Sequence, residues 1–353
     1  MTTRRARASV ALLAVLLVIA LTACGSPQAY DASREALGTV VTVTAYGDDE
    51  RAVRDAIDAA YDAMDATEQA LDAYDETSDI HAINVDPYSV HELPDDALEI
   101  LNATDSLNVN DAFSPTLLSV SRLYGFETFR MPPSPADLDT ALRASKRLAF
   151  TGTASASFVP LDDDDPRLGP YGTLIPGLDF SGALKGLALD RARDVLRKAP
   201  AVSAAVLSAG STTVTLGTKP DGSVWRVGVE DPRDNERVIA VFQFAGDGAL
   251  STSGDYQRFY EVGGVRYHHI LDPATGLPAQ GLRSLTVGGA GITGLESDIL
   301  STALFVMQSG RAVAYADAKG LGLYLVDESG QALTVPAPKD SGLIISEEAV
   351  PTP

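Results

Sequence analysis

The sequence predicts an α+β fold in which mostly antiparallel strands pack against helices. Apolar residues recur at helical spacing in the first half of the chain, and short strand-like runs follow one another from residue 203 to residue 289. No internal repeat is visible. The 353 residues are 45% hydrophobic, carry a net charge of -21 and include one cysteine. This composition excludes disordered, collagen-like and disulfide-framework proteins, and the negative charge argues against nucleic acid as a partner.

The amino terminus has the pattern of a secretory signal peptide over residues 1–23. Three arginines precede an apolar run from Val10 to Leu21, which is shorter than the roughly 20 residues that span a bilayer. The sequence Leu21-Thr22-Ala23-Cys24 resembles a bacterial lipobox, in which Cys24 is lipidated and becomes the mature N-terminus. An ordinary cleaved signal with an incidental cysteine is the alternative. We expect a lipidated tether over 24–36 and a lipid anchor on the extracytoplasmic face of the cell membrane.

The elements then follow in order along the chain. A β-branched run over 38–46 predicts a strand. Apolar residues at helical spacing, without Pro or Gly, predict a helix over 50–71. Further helices are predicted at 95–107, 116–124, from Pro135, 182–197, 296–307 and 311–318. Strands are predicted at 203–208, 212–216, 224–229, 237–244, 257–262, 284–289 and near 321–326. Residues 336–353 are expected to form a tail with a frayed end.

An acidic run, Asp162 to Asp165, lies between two prolines. Such a run could form a calcium loop or a solvated turn. The alternating ligands and the glycine of an EF-hand are missing, which favours the turn.

Two helix segments carry candidate chemistry. Asp179 to Gly186 places a carboxylate, a glycine and Lys185 within one turn that opens a helix, an arrangement suited to phosphate or to a plain helix cap. Asp298 and Thr302 stand at i and i+4, so they share one helix face. A carboxylate and a hydroxyl suit a hard cation such as Mg²⁺, whereas the alternative is a cap and a hydroxyl bonded to its own helix.

The densest polar clusters are Ser251 to Tyr256 and Tyr267 to Gly276. The neighbouring histidines 268 and 269 would point to opposite faces of a strand, which argues against zinc. A hydrolase triad is disfavoured because no G-x-S-x-G elbow is present.

Taken together, these segments resemble the FAD:protein FMN transferase family, also called ApbE, over about residues 37–327. The matching motifs are LGTVVTVTAYG, Tyr74 with Ser78-Asp79-Ile80 and Asn84, AFSPTLLSVSRLYGF, DFSGALKGLALDRA, VLSAGSTTVTLG, VWRVGVEDPR, STSGDYQRFY, YHHILDPATGLP and SDILSTALFVM. The resemblance implies a catalytic domain over 37–335 with a fold related to the tunnelling fold. It implies Mg²⁺-dependent transfer of FMN from FAD to a Thr or Ser hydroxyl of an exported or membrane-bound flavoprotein, with release of AMP.

The resemblance also implies roles for individual residues. Mg²⁺ would be bound by Asp298, Thr302 and the backbone carbonyl near Gly182, while Lys185 would add a fixed cation. Candidates for the base that activates the acceptor hydroxyl are Asp255 and His269. The positions that would contact FAD are Leu37, Tyr74, Ala112, Phe113, Ser114, Asp179, Lys185 and Leu271.

Three positions depart from the family pattern. Ser211 replaces a glycine, Thr213 stands where an acidic residue is common, and Ala274 replaces a frequent arginine. None of these changes removes a predicted metal ligand. Two other functions stay open at this point: an FAD pyrophosphatase that yields FMN and AMP, and a lipoprotein that binds or scavenges FAD.

Overall fold

The computed structural model describes residues 27–126, 131–161, 167 and 174–351. The predicted signal peptide, Cys24 and the acidic run at 162–165 lie outside these residues. Within them the helices are α1 (Glu50–Leu71), α2 (Asp79–Val85), α3 (Asp95–Leu107), α4 (Leu118–Tyr124), α5 (Pro135–Ser145), α6 (Ser181–Lys198) and α7 (Gly294–Lys319).

The strands of the described residues are all paired antiparallel. They are β1 (Gln28–Ala36), β2 (Thr39–Gly47), β3 (His91–Glu92), β4 (Leu148–Thr151), β5 (Ser155–Phe158), β6 (Ala204–Ala209), β7 (Thr212–Leu216), β8 (Trp225–Asp231), β9 (Asp234–Phe244), β10 (Gly248–Gly254), β11 (Phe259–Val262), β12 (Val265–His268), β13 (Leu282–Ala290), β14 (Gly322–Asp327), β15 (Ala332–Val335) and β16 (Leu343–Pro351). The predicted α+β class is confirmed.

An eight-stranded sheet in the order β1-β2-β6-β7-β10-β13-β14-β15 forms the centre of the fold. Helices α1, α6 and α7 pack on one face, where Val41 and Val43 of β2 are fully buried among helix residues. The sheet β16-β9-β8 covers part of the other face, where Trp225 and Phe242 pack against Leu250 of β10. Because β10 and its neighbours are covered on both faces, nearly all of their side chains are buried. They do not alternate between buried and exposed positions along the strand.

A smaller apolar cluster joins α4 and α5 to the hairpin β11–β12. Tyr124 and Val120 of α4 are buried there with Tyr260 of the hairpin. Across the hairpin the rings of Tyr260 and Tyr267 stack with their centroids 5.4 Å apart. We call this cluster the hairpin lobe; it forms one side of the cavity described below.

Both predicted ends of the domain are more ordered than the sequence indicated. Residues 28–36 of the predicted tether form β1, which pairs with β2 along its whole length. Part of the predicted tail forms β16, which pairs with β9. The physical reason is burial, since alternate small or apolar side chains such as Ala32 and Leu343 pack on the cores. The sequence analysis thus assigned to the tether and to the tail two segments, 28–36 and 343–351, that are strands of the folded domain.

Helix α7 combines the two helices predicted at 296–307 and 311–318. They are continuous except at Gln308, whose φ of 62° and ψ of 172° lie outside the helical region. No helix in the described part of the chain combines the length and apolar content needed to cross a bilayer.

Candidate active site

A cavity of about 540 Å³ opens between the hairpin lobe and the helices α6 and α7. Its walls come from the segment before α2, from α4 and the residues on either side of it, and from the first two turns of α6. The β6–β7 turn, the end of β10, the residues flanking the β11–β12 hairpin, and α7 complete them. The volume lies in the range of pockets that bind cofactors and other small molecules. This cavity therefore joins segments that are more than 200 residues apart in the sequence.

Two glycines let α6 and α7 approach closely beside the cavity. A methyl group at Gly186 would lie 2.2 Å from the carbonyl oxygen of Gly294. This approach brings the Gly186 N–H within 2.9 Å of the Oδ2 atom of Asp298, which accepts its hydrogen bond. The other carboxylate oxygen, Oδ1, accepts from the hydroxyl of Thr212 at 3.1 Å. Asp298 is thus held by one donor from α6 and one from β7.

The predicted metal ligands meet at one end of the cavity. Asp298, Thr302 and Gly182 all line it, and a methyl at Gly182 would lie 3.8 Å from the Oγ1 atom of Thr302. Ser253 of β10 adds a hydroxyl 3.3 Å from the same Oγ1 atom. Burial raises the pKa of Asp298, and the ammonium group of Lys185 opposes this rise.

These residues fit a magnesium ion better than a transition metal. Within the described ranges no group of three or more His, Cys, Asp or Glu side chains comes together as a metal cluster. Mg²⁺ typically takes only one or two carboxylates and completes its shell with other oxygens, waters and substrate phosphates. One buried carboxylate beside the hydroxyls of Ser253 and Thr302 is consistent with such a donor set.

A second group of predicted residues forms the wall at the start of α6. The hydroxyl of Tyr74 donates to the Oδ2 atom of Asp179 at 3.0 Å, although the side chain as a whole is about half exposed. Loss of solvent around the phenol raises the pKa of Tyr74 above its usual value, which already leaves the hydroxyl protonated at neutral pH. Asp179 also accepts the N–H of Ser181, the first residue of α6, at 3.0 Å. Asn84 holds the preceding residue, Leu178, through hydrogen bonds of 2.8 and 2.7 Å. Asn84 belongs to one of the matching motifs, but its place in the sequence did not indicate this role.

The segment 112–114, for which the resemblance implied contacts with FAD, lies at the cavity. Ala112, Phe113 and Ser114 all line it. The Phe113 ring packs against Gly182. If residue 182 had a side chain, its Cβ atom would lie only 3.0 Å from the Cε2 atom of Phe113. Glycine at 182 therefore allows an aromatic ring to pack against the first turn of α6.

The two adjacent histidines have different surroundings, as the alternation of side chains predicted. His268 is buried, and its ring nitrogens contact the Ala279 carbonyl at 2.7 Å and the Ile270 N–H at 3.3 Å. It is a structural residue. His269 lines the cavity, and its Nδ1 atom is buried with no hydrogen-bond partner in the described structure. Burial, together with the positive charge of Arg258, lowers the pKa of His269 to about 3, so the ring is neutral at pH 7.

The structure does not bring two of the predicted residues to the cavity. The Oδ2 atom of Asp255 faces Arg266 at 3.4 Å and Arg283 at 3.9 Å, and Asp255 is absent from the cavity wall formed by the described residues. Burial raises its pKa. The prediction of Asp255 as a base thus receives no support, because the carboxylate joins two strands to each other. His269 is the base candidate that lines the cavity.

Leu37 also stands away from the cavity wall. With φ angles of 54° and 66°, Leu37 and Gly38 form the two-residue turn between β1 and β2. The Leu37 N–H donates to the Oε2 atom of Glu68 at 3.0 Å. Leu37 does not line the cavity, so nothing in the cavity wall supports its predicted contact with FAD. Leu271, which was also predicted to contact FAD, does line the cavity.

The three departures from the family pattern lie in different places. Ser211 lines the cavity, and Thr213 shares a hydrogen bond of 2.8 Å with Ser208 on β6. Ala274 lies in an exposed turn, where its carbonyl accepts from Lys146 at 3.4 Å. Only the change at Ser211 therefore touches the cavity directly.

The charged side chains of the cavity favour an anionic ligand. Arg122, Lys185 and Arg258 line it, against the carboxylates of Asp179 and Asp298. The excess of positive charge stands out in a chain whose net charge is -21. Lys185 lies in the second turn of α6, near the positive end of the helix dipole. A phosphate-containing ligand suits this arrangement.

Comparisons with known proteins agree with the fold. The FAD:protein FMN transferase of Salmonella typhimurium is 28% identical over 280 residues, which cover 76% of this chain and 75% of that protein. The corresponding protein of Escherichia coli K12 is 30% identical over 244 residues, 67% of this chain and 66% of its own length. The crystal structure of the ApbE protein of Thermotoga maritima superposes with a TM-score of 0.74 at 30% identity, covering 87% of this chain and 97% of that one. Fold, site and relatives define an enzyme of the flavin transferase class.

The family follows from a match that spans most of the described chain. The model of the ApbE family matches residues 37–325. The chain therefore belongs to the ApbE family, and the resemblance expected from the motifs is confirmed.

Proposed function

We propose that this protein transfers FMN from FAD to a Ser or Thr hydroxyl of a target flavoprotein and releases AMP. The observation that carries the proposal is the meeting of Asp298, Thr302 and Lys185 with His269 in one cavity. In this reaction the acceptor oxygen bonds to the phosphorus of the FMN half. The bond from that phosphorus to the bridging oxygen breaks, and AMP leaves with the electron pair.

Each residue has a task that its position supports. Lys185 and Arg258 attract the pyrophosphate, and Lys185 stabilises the charge that builds on it as the bond breaks. Tyr74 and Asp179 form the wall against which the flavin or the ribityl chain can pack. His269 is neutral in the free protein, and a bound pyrophosphate would raise its pKa by adding negative charge nearby. It then accepts the proton of the acceptor hydroxyl.

Asp298, Thr302 and the carbonyl of Gly182 would hold Mg²⁺. When bound, the ion neutralises phosphate charge and helps orient the pyrophosphate. The Gly186 and Thr212 hydrogen bonds to Asp298 would keep its carboxylate aimed before the ion arrives.

The test is a turnover assay on the full chain with FAD, Mg²⁺ and an acceptor flavoprotein of an ApbE-family transferase, following AMP, FMN and the acceptor mass. We expect AMP and an acceptor heavier by one FMN moiety. Asp298→Asn and Thr302→Val should each lower this yield by at least about tenfold. The matched control is Thr67→Val, which removes a helical threonine hydroxyl bonded to the Ala63 carbonyl at 3.1 Å, away from the cavity.

The same assay separates the other two functions. Release of AMP and free FMN without labelled acceptor would mean a pyrophosphatase. FAD that stays intact and bound would mean a binding or scavenging protein. Full activity in Asp298→Asn would refute the metal site.

We also propose export and lipid anchoring through Cys24, supported by the lipobox-like sequence. The acceptor would then be exported or membrane-bound. Cys24→Ser should move the protein from the membrane fraction to the soluble fraction, and continued membrane association would count against lipidation.

A further inference from the structure

We propose that Asp190 is a positioning residue for the divalent cation site, although it lies outside the cavity. It would act by fixing the start of α7 against α6, and so setting the distance between the ligands that the two helices contribute. The inference rests on the proposed function, since the cation site is part of it.

Asp190 of α6 binds the first turn of α7 with both carboxylate oxygens. Oδ1 accepts the Gly294 N–H and Oδ2 accepts the Leu295 N–H, each at 2.8 Å. The guanidinium group of Arg193 lies 2.7 Å from Oδ1, and both charged side chains are at most 10% exposed. Free N–H groups at a helix start favour a negative charge, so this contact ties α7 to α6 at a defined point.

The opposite contact lies one turn away on each helix. Asp298 of α7 accepts the Gly186 N–H of α6 at 2.9 Å, so each helix offers a carboxylate to the backbone of the other. Gly186 and Asp190 are four residues apart, as are Gly294 and Asp298, which corresponds to about one helical turn. The two helices are therefore held in a fixed antiparallel register by two crossed carboxylate–amide contacts.

The predicted cation ligands lie in the next turn of the same register. Gly182 is four residues before Gly186, and Thr302 is four residues after Asp298. The two positions meet across the helix pair, with a methyl at Gly182 only 3.8 Å from the Oγ1 atom of Thr302. Any shift of α7 along or away from α6 would move Asp298 and Thr302 together relative to the Gly182 carbonyl.

Among the described residues, Asp190 is the only charged group that joins α6 to the first turn of α7 and does not line the cavity. It is therefore a contact that can be changed without altering the cavity wall. Asp190→Asn replaces one acceptor oxygen with an amide that cannot accept from a backbone N–H. The first turn of α7 loses a partner, and the cation ligands on α7 are free to move. Residues that orient metal ligands typically change metal affinity by about 10- to 100-fold when mutated.

The experiment measures divalent cation affinity in two ways on the full chain. The first is the Mg²⁺ concentration that gives half-maximal FMN transfer. The second is direct binding of Mn²⁺, followed by the loss of the electron paramagnetic resonance signal of free Mn²⁺ without FAD. In Asp190→Asn both should weaken by about tenfold or more. The rate at saturating Mg²⁺ should fall less, because the cavity groups are unchanged.

Two further variants separate positioning from stability. Asp190→Asn leaves Arg193 buried without a full counter-charge, so the double variant Asp190→Asn/Arg193→Gln removes that charge and protects folding. The matched control is Asp231→Asn, whose carboxylate is 3% exposed and accepts from Arg233 at 3.1 Å on the β8–β9 connection. It should lower thermal stability without changing Mg²⁺ or Mn²⁺ affinity.

The outcomes are distinct. If the Asp190 variants keep wild-type cation affinity while losing as much stability as Asp231→Asn, Asp190 is only structural and the proposal is overturned. If the wild-type protein binds no Mn²⁺, both the cation site and this proposal fail. If it binds Mn²⁺ but transfers no FMN, the proposed reaction fails, and the Mn²⁺ titration of the Asp190 variants still decides the role of Asp190.

Discussion

Gly186→Ala tests whether the close approach of α6 and α7 builds the site. The added methyl would lie 2.2 Å from the Gly294 carbonyl oxygen and 2.8 Å from the Asp298 Cβ atom. Since comfortable contacts are about 3.5 Å, the helices must separate by roughly 1 Å or more. The Gly186–Asp298 hydrogen bond, now 2.9 Å, would then exceed the hydrogen-bonding range.

The energetic effect follows from three contributions. Overpacking against backbone costs about 1–3 kcal/mol. Loss of a hydrogen bond to a buried charged group costs about 1.5–3 kcal/mol. The better helix propensity of alanine returns about 1 kcal/mol. The free energy of unfolding should therefore fall by about 1.5 to 5 kcal/mol, and FMN transfer should be lost because Asp298 is displaced.

Urea denaturation of the full chain, followed by circular dichroism, measures the first effect, and the turnover assay measures the second. The control is Gly310→Ala, an exposed helical glycine of α7 with no atom within 4 Å of the added methyl. It should raise stability by about 0.5–1 kcal/mol and keep activity. The reasoning is refuted if Gly186→Ala matches Gly310→Ala in both stability and turnover.

Three further predictions follow from single contacts. Tyr74→Phe removes the 3.0 Å hydrogen bond to Asp179, so the KM for FAD should rise several-fold with little change in kcat. An unchanged KM would show that Tyr74 and Asp179 take no part in FAD binding. Thr212→Val removes the 3.1 Å donor to Asp298 and should raise the Mg²⁺ concentration for half-maximal activity; equal Mg²⁺ curves would contradict it. His269 has a pKa of about 3 in the folded protein, below its usual 6.5. Between pH 6.5 and pH 3 the unfolded state therefore binds more protons than the folded state, so the free energy of unfolding falls as the pH drops through this range. His269→Gln should show a weaker fall in urea midpoint from pH 6.5 to pH 4, and identical curves would show that His269 is not buried as a neutral ring.

Local patterns determined the regular elements well. Predicted bounds match the structure for α1 at 50–71, α3 at 95–107 and β7 at 212–216. These segments have apolar residues at helical spacing or a high content of β-branched residues, and turn-forming residues mark their ends. Their local structural preference therefore agrees with the fold. The break between the predicted helices 296–307 and 311–318 also has a counterpart at Gln308.

The missed elements lack such a pattern. The run Ser251-Thr252-Ser253 within β10 is polar, yet β10 is a central strand of the large sheet. Its hydroxyls are satisfied by other elements, as where Ser251 shares a hydrogen bond of 2.8 Å with Ser297 of α7. A polar strand of this kind is stable only when its partners are in place.

Some features of the candidate site could be predicted from local sequence spacing, and others could not. Asp298 with Thr302, and Asp179 with Lys185, are local pairs, so their spacing along the chain placed each pair together but left a plain helix cap open as the alternative to a binding role. The choice between His269 and Asp255 as base candidate had no local signal, because it depends on which side chain faces the cavity.

By itself the sequence determined the α+β class and the helix faces that carry the charged and hydroxyl groups, because these depend on spacing along one element, and it indicated the family through the resemblance of its motifs along the chain. Only the tertiary structure decided that Asp190 joins α6 to α7, that Asp255 pairs with arginines, and that β1 and β16 are strands. Those outcomes depend on contacts between separate elements, as in the Asp190–Gly294 hydrogen bond, or on burial against a distant core. Spacing along one element does not encode them, and packing does.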